Sequence, residues 1–127
     1  MTASIVGWAH TPFGKFDTET VESLVVRVAN EALADAGISA GDVHEIVLGH
    51  FNAGFSPQDF TASLVLQASN DLRFKRATRV ENACATGSAA VHTLMPGSRS
   101  RATPSTMTML FCSRISSGRV CISNTSV

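Results

Sequence analysis

Over the first 92 residues apolar and polar positions alternate with helix and strand periods, and beyond that point the rhythm is lost. Ile5-Val6-Gly7-Trp8-Ala9 is a short apolar run closed by Thr11-Pro12, the pattern of a buried strand. Val21, Leu24, Val25, Val28, Ala32, Leu33 and Ala36 then recur at helical spacing. Thr18 or Thr20 is available as N-cap, Glu22 falls in the first turn, and Gly37 stands where a terminating glycine belongs. Ile46-Val47-Leu48, bounded by Gly41-Asp42 and Gly49, reads as a second buried strand. Strand, helix, strand is a βαβ unit, which predicts two parallel neighbouring strands joined by a right-handed crossover.

Ser56-Pro57-Gln58-Asp59 predicts a second helix start: Ser56 as cap, Pro57 at the first helical position, Asp59 at the capping-box place. Phe60, Leu64 and Ala68 give that helix one apolar stripe. Ala77-Thr78-Arg79-Val80 predicts a third, shorter strand. It runs into Asn82-Ala83-Cys84-Ala85-Thr86-Gly87-Ser88-Ala89-Ala90-Val91, almost all small residues, the composition of a helix buried against close neighbours. The cluster Arg73, Lys75, Arg76 and Arg79 reads first as a solvated face and second as a phosphate-facing surface.

Composition sharpens the division near residue 92. The 127 residues are 44% hydrophobic and 16% charged, a globular composition with enough length for a core. The formal net charge of zero argues against a nucleic-acid partner or a polybasic membrane surface. That zero is a cancellation. Residues 1–92 hold 10 acidic and 6 basic side chains, whereas residues 93–127 hold Arg99, Arg101, Arg114 and Arg119 with no acid or lysine. Thirteen of the 35 residues of 93–127 are Ser or Thr, and Pro96 and Pro104 interrupt any helix. Met107-Thr108-Met109-Leu110-Phe111-Cys112 could form one strand. Two regions follow: an α/β region over 1–92 and an atypical tail over 93–127, read either as a flexible terminus or as a stretch translated out of frame from near His92.

The N-terminus lacks a basic and apolar leader, and no run approaches the ~18 apolar residues that span a bilayer. Cys84, Cys112 and Cys121 form no disulfide framework, nor do they combine with His10, His44, His50 and His92 at zinc-ligand spacings, so no metal is expected. A reducing cytoplasm is the expected compartment.

One cysteine has a context for chemistry. A lone cysteine is ordinarily a small buried hydrophobe. Cys84, however, follows a predicted strand and opens a predicted helix, where free backbone N–H groups and the positive dipole end favour thiolate over thiol. Gly87 and the neighbouring alanines leave room for a substrate chain. A nucleophilic, acyl-accepting cysteine needs such a setting, with donors near the developing oxyanion.

Val80-Glu81-Asn82-Ala83-Cys84-Ala85-Thr86-Gly87-Ser88-Ala89-Ala90 resembles the nucleophile motif of thiolases, the acetyl-CoA acetyltransferases, and is similar to the sterol-carrier-protein type. The opening Ile5 to Lys15, with Thr11-Pro12-Phe13-Gly14, resembles the family's first strand and turn; many thiolases carry Arg where this chain has His10. Ala32-Leu33-Ala34-Asp35-Ala36-Gly37-Ile38, followed by Asp42 to Gly49, also resembles the family. The resemblance covers roughly residues 4–92. It implies an α/β fold, thiolase-like and layered, of which this chain holds an incomplete N-terminal part.

The resemblance further implies that Cys84 attacks the thioester of an acyl-CoA, with a second substrate or CoA resolving the acyl-enzyme in 3-ketoacyl-CoA synthesis or thiolysis. Acyl-CoA and CoA enter as substrates, with no separate cofactor, and intact family members form homo-oligomers. The family's essential His and acid/base residues belong to a second half whose motifs are absent here, which implies a catalytically incomplete chain. Two alternatives stand beside this reading: a non-catalytic thiolase remnant, and a fragment of a related ketoacyl synthase, which the Thr11-Pro12-Phe13-Gly14 opening disfavours. His92 lies eight positions beyond Cys84, about 12 Å along a helix and out of hydrogen-bond reach. His10 and His50 each follow a predicted strand and match no family catalytic position, so both read as packing or surface residues. His44 reads as exposed, and Cys121 as unrelated to the family's second reactive cysteine.

Overall fold

In the computed structural model, which describes residues 2–52, 54, 57, 59–94, 106–114 and 117–126, the chain opens with strand β1 (Thr2–His10). A bulge falls between Ile5 and Gly7. Gly7 and Ala9 face the interior while Ile5 and Trp8 are exposed. Helix α1 (Val21–Ala36) starts at Thr20, whose hydroxyl accepts the Ser23 amide at 3.1 Å while Ser23 Oγ accepts the Thr20 amide at 2.9 Å. Gly37 ends it in the left-handed region at φ 66°, where Ile38 N–H reaches back to the Leu33 carbonyl at 3.2 Å. Two of these signals lie three residues apart and the third needs only a missing Cβ, so each is local.

Strand β2 (Glu45–His50) is buried on both faces, and its alternation divides the core. Ile46 and Leu48 pack with Val25, Val28, Ala29 and Ala32 of α1 and with Leu64, Val65 and Leu72 beyond it. Val47 points the other way, onto Ala90 of helix α3 (Thr86–Leu94), with Val80, Val91 and Leu94 beside it. Each fully buried Val or Leu in these layers stabilises the fold by about 1.5–3 kcal/mol. The result is helix, sheet, helix.

Helix α2 (Thr61–Leu64), extended by a 3-10 turn over Val65–Ala68, begins later than the Ser56-Pro57-Gln58-Asp59 signal suggests. Ser56 and Gln58 lie outside the described residues. Asp59 does not cap: its carboxylate is taken by Arg79 at 3.2 Å, and the N-cap residue is Phe60, with no side-chain cap bond. Phe60 is 81% exposed, so the buried stripe is Thr61, Ala62, Leu64 and Val65 rather than Phe60, Leu64 and Ala68.

Strand β3 (Arg76–Val80) pairs parallel to β2 at one edge of the sheet. Two further strands, β4 (Thr106–Arg114) and β5 (Ser117–Ser126), come from the Ser/Thr-rich tail. The sheet order is β1-β5-β4-β2-β3. β4 runs parallel to β2, and β5 runs antiparallel to both β4 and β1. β4 contains the predicted strand Met107–Cys112, and β5 was not anticipated. Residues 106–114 and 117–126 of the tail form sheet strands, and residues 95–105, 115, 116 and 127 lie outside the described residues.

The expected neighbours β1 and β2 do run in the same direction, but they are not adjacent: β5 and β4 stand between them. A helix about 10 Å across roofs two strands spaced about 4.8 Å apart, so α1 reaches from β1 over β5 and leaves room for the inserted pair. The close approach of α1 to β1 is set by Gly7, where an added Cβ would lie 2.6 Å from the Ala36 Cβ. Beside it, the Trp8 amide, past the bulge, donates to Asp35 Oδ2 of α1 at 2.8 Å.

Candidate active site

Parallel strands collect functional groups at their C-terminal ends, because each strand there hands over to a loop or helix whose polar termini are open. β2 ends at His50, β3 at Val80, and the turn from β3 into α3 carries Cys84. Cys84 lies in a single 3-10 turn, Ala83–Ala85, and is exposed.

The turn is sharp. Ala83 adopts φ 43°, the single non-glycine residue with positive φ among the described residues. A left-handed L-residue costs about 1–2 kcal/mol, and such strain persists only where neighbours over-determine it. On the helix side the determinant is Thr86, which is buried. Its Oγ1 accepts the Asn82 amide at 2.9 Å and donates to the Ala83 carbonyl at 2.7 Å. The Ala85 amide closes the turn on the Asn82 carbonyl at 2.8 Å. Ala90 packs flat on Val47, so the small residues of α3 let the helix sit close to the sheet. The arrangement presents a thiol on the outside of a rigid strand-to-helix elbow.

On the strand side stands Arg79. Its Nε donates to the His50 carbonyl at 3.3 Å, and its Nη1 to the Asp59 carboxylate at 3.2 Å and the Asp59 carbonyl at 3.4 Å. Nη2 pairs with the Glu81 carboxylate. The Arg79 side chain is 25% exposed; its bond to the His50 carbonyl is partly buried, while those to Asp59 and Glu81 are exposed. Arg79 therefore belongs to no solvated basic face. Lys75 also has a partner, donating to the Gly41 carbonyl at 2.9 Å, while Arg73 and Arg76 are exposed. The one sequence signal for Arg79 is parity: it shares its strand face with Ala77, which packs against the core.

His50 is 1% exposed, and its Nδ1 has no hydrogen-bond partner among the described residues. Burial, aided by the nearby Arg79 charge, lowers its affinity for a proton, while Glu81 and Asp59 pull the other way. His10 ends β1 at the same C-terminal end of the sheet, its ring 5.1 Å from Phe13 and 6.5 Å from Trp8. Two strands separate His10 from His50, a span of about 14 Å, so the fold does not bring them together. His44 and His92 are exposed. Cys112 falls in β4 and Cys121 in β5, opposite Trp8 of β1. Among the described residues no group of His, Cys, Asp or Glu is placed to hold a metal ion.

Comparison with known proteins places this elbow in context. Residues 3–106 match the family model described as thiolase, N-terminal domain. An acetyl-CoA acetyltransferase of Methanocaldococcus jannaschii is 37% identical over 89 residues, covering 69% of this chain and 22% of that protein. Among solved structures, a 3-oxoacyl-[acyl-carrier-protein] synthase III from Aquifex aeolicus superposes with a TM-score of 0.68 at 15% identity, over 98% of this chain and 54% of that one. The Acat5 thiolase from Ascaris suum, in complex with coenzyme A, superposes with a TM-score of 0.63 at 17% identity, over 87% of this chain and 29% of that one. The structural likenesses show a thiolase-like α/β fold shared with ketoacyl synthases, and the family match decides between the two. The chain belongs to the thiolase family, matching its N-terminal domain.

Proposed function

We propose that this chain carries the acyl-accepting part of a thiolase active site, with Cys84 as nucleophile. The observation that carries the reading is the strained elbow: an exposed Cys84, next to Ala83 at positive φ, at the C-terminal end of the parallel strands. The Cys84 thiolate attacks the carbonyl carbon of an acyl-CoA thioester and forms a new S–C bond. Collapse of the tetrahedral oxyanion breaks the bond to the CoA sulfur, and CoA leaves as a thiolate that takes a proton from solvent. In the synthetic direction a carbanion of a second acyl-CoA attacks the acyl-Cys84 carbonyl, releasing 3-ketoacyl-CoA and the Cys84 thiolate. In the degradative direction the Cys84 thiolate attacks the 3-keto carbonyl of a 3-ketoacyl-CoA, the carbon–carbon bond breaks, and acetyl-CoA leaves as a carbanion that takes a proton. The thiolate of a free CoA then attacks the acyl-Cys84 carbonyl, releasing the shortened acyl-CoA and the Cys84 thiolate.

CoA acts as substrate in this scheme and no separate cofactor is called for. The setting we assign is cytoplasmic lipid metabolism. We assign association into a homo-oligomer on the family membership. Because the chain spans 22% of the length of its M. jannaschii relative, we assign to it the acylation half-reaction rather than full turnover.

Incubation with acetyl-CoA followed by peptide mass spectrometry tests the reading. An acetyl group on Cys84, lost in Cys84→Ala, is the expected result. A folded chain that stays unmodified, or acetylation that persists in Cys84→Ala, would sink it. The same preparation is expected to show no 3-ketoacyl-CoA thiolysis.

A further inference from the structure

We propose that Arg79 is the positioning residue for the Cys84 elbow. The inference rests on Cys84 being the nucleophile. Arg79 lies in the strand that feeds the elbow, opposite Leu48 of β2 and five residues before Cys84. Through one guanidinium it ties together three stretches of chain: the end of β2 at the His50 carbonyl, the segment before α2 at Asp59, and the elbow's entrance at Glu81.

Glu81 immediately precedes Asn82, whose amide is bound by Thr86. The left-handed Ala83 is therefore held from both sides, by Thr86 from the helix and by Arg79 through Glu81 from the strand. Were the strand side released, Ala83 could relax to a negative φ and carry the adjacent Cys84 with it. Lysine cannot replace this device, because its single ammonium nitrogen cannot span the two carbonyls and two carboxylates that Arg79 reaches from three separate nitrogens.

The test is the rate at which iodoacetamide alkylates Cys84 in the folded full chain at pH 7, divided by the rate for the same cysteine in urea-denatured chain. This ratio removes intrinsic thiol reactivity, and the melting temperature is measured beside it. In the unsubstituted chain the ratio is expected to exceed one. In Arg79→Ala, and also in Arg79→Lys, it is expected to fall by about tenfold, since a misplacement of about 1 Å in an organised site costs up to about a hundredfold. A folded Arg79→Ala whose ratio stays within twofold of the parent overturns the proposal while leaving Cys84 as nucleophile. If Arg79→Ala does not fold, Asp59→Asn and Glu81→Gln loosen the clamp and keep the Arg79 bond to the His50 carbonyl. Parental ratios in both overturn the proposal, and slowing in Glu81→Gln supports it. A parent chain whose Cys84 reacts no faster folded than denatured removes the nucleophile reading itself, a result seen before any variant is compared.

Discussion

Thr86 closes the elbow on Asn82: its hydroxyl oxygen accepts the Asn82 amide at 2.9 Å while its proton goes to the Ala83 carbonyl at 2.7 Å. The residue is 4% exposed, so neither bond is readily exchanged for water. Thr86→Val keeps the shape and removes both bonds, at a cost of about 0.5–1.5 kcal/mol for each. A urea titration is expected to show that loss, together with slower alkylation of Cys84. Thr86→Ser keeps the hydroxyl and is expected to lie much closer to the parent. A larger loss in Thr86→Ser than in Thr86→Val would show that the methyl group, rather than the hydroxyl, matters.

Ala83 offers the complementary experiment. Glycine is free of the ~1–2 kcal/mol left-handed penalty but loses ~0.5–1 kcal/mol more chain entropy on folding. Ala83→Gly is therefore expected to raise stability by roughly 0.5–1 kcal/mol, and Ala83→Val to lower it, because a β-branched side chain suits φ 43° worst. The denaturation midpoints of the two variants should move in opposite directions. A midpoint that falls in Ala83→Gly would contradict the strain assigned to this turn.

Gly7 and Ala36 set how closely α1 lies on β1. A Cβ at Gly7 would meet the Ala36 Cβ at 2.6 Å, its amide nitrogen at 2.7 Å and its Cα at 2.8 Å. Gly7→Ala is thus expected to cost about 1–3 kcal/mol, read as a lower melting temperature. Two of the three clashes are with backbone, so adding Ala36→Gly should restore only a small part of the loss. Full recovery in the double variant would show that the Cβ alone limits the approach.

Stability should also depend on pH through His50. Its folded-state proton affinity is lowered from the ordinary value of 6.5, by burial first and Arg79 second. Below 6.5 the unfolded chain binds a proton that the folded chain resists, so the unfolded state holds more protons. The contribution of neutral His50 is present in full above about 6.5 and is lost as pH falls through that value toward the folded-state pKa. Urea titrations between about pH 8 and pH 5.5 are expected to show this slope, flattened in His50→Asn. An unchanged slope in His50→Asn would assign the pH dependence to another group.

The local signals proved readable where one short stretch of chain contained the whole cause. Thr20 and Ser23 satisfy each other's amides three residues apart, and Gly37 needs no partner to turn left-handed, so the bounds of α1 stand in the sequence. The buried run Ile46-Val47-Leu48 and the strand-to-helix break before Thr86 were legible for the same reason. Asp59 marks the limit. Its place in a capping box looked local, but a guanidinium 20 residues away takes its carboxylate, and the helix begins two residues later at Thr61.

By itself, then, the sequence determined the helix α1, the β2 and β3 segments, and the candidate nucleophile Cys84 at a strand-to-helix break, because hydrophobic period and capping chemistry act over a few residues. Only the tertiary structure decided the order of the strands. Hydrophobic pattern states which face of a strand is buried but not which strand lies beside it, so β4 and β5 could enter between β1 and β2 without leaving a mark on either. It also decided what secures the elbow. The fork of Arg79 reaches His50, 29 residues away, and Asp59, 20 residues away, and such separations are set by sheet register rather than by any local spacing.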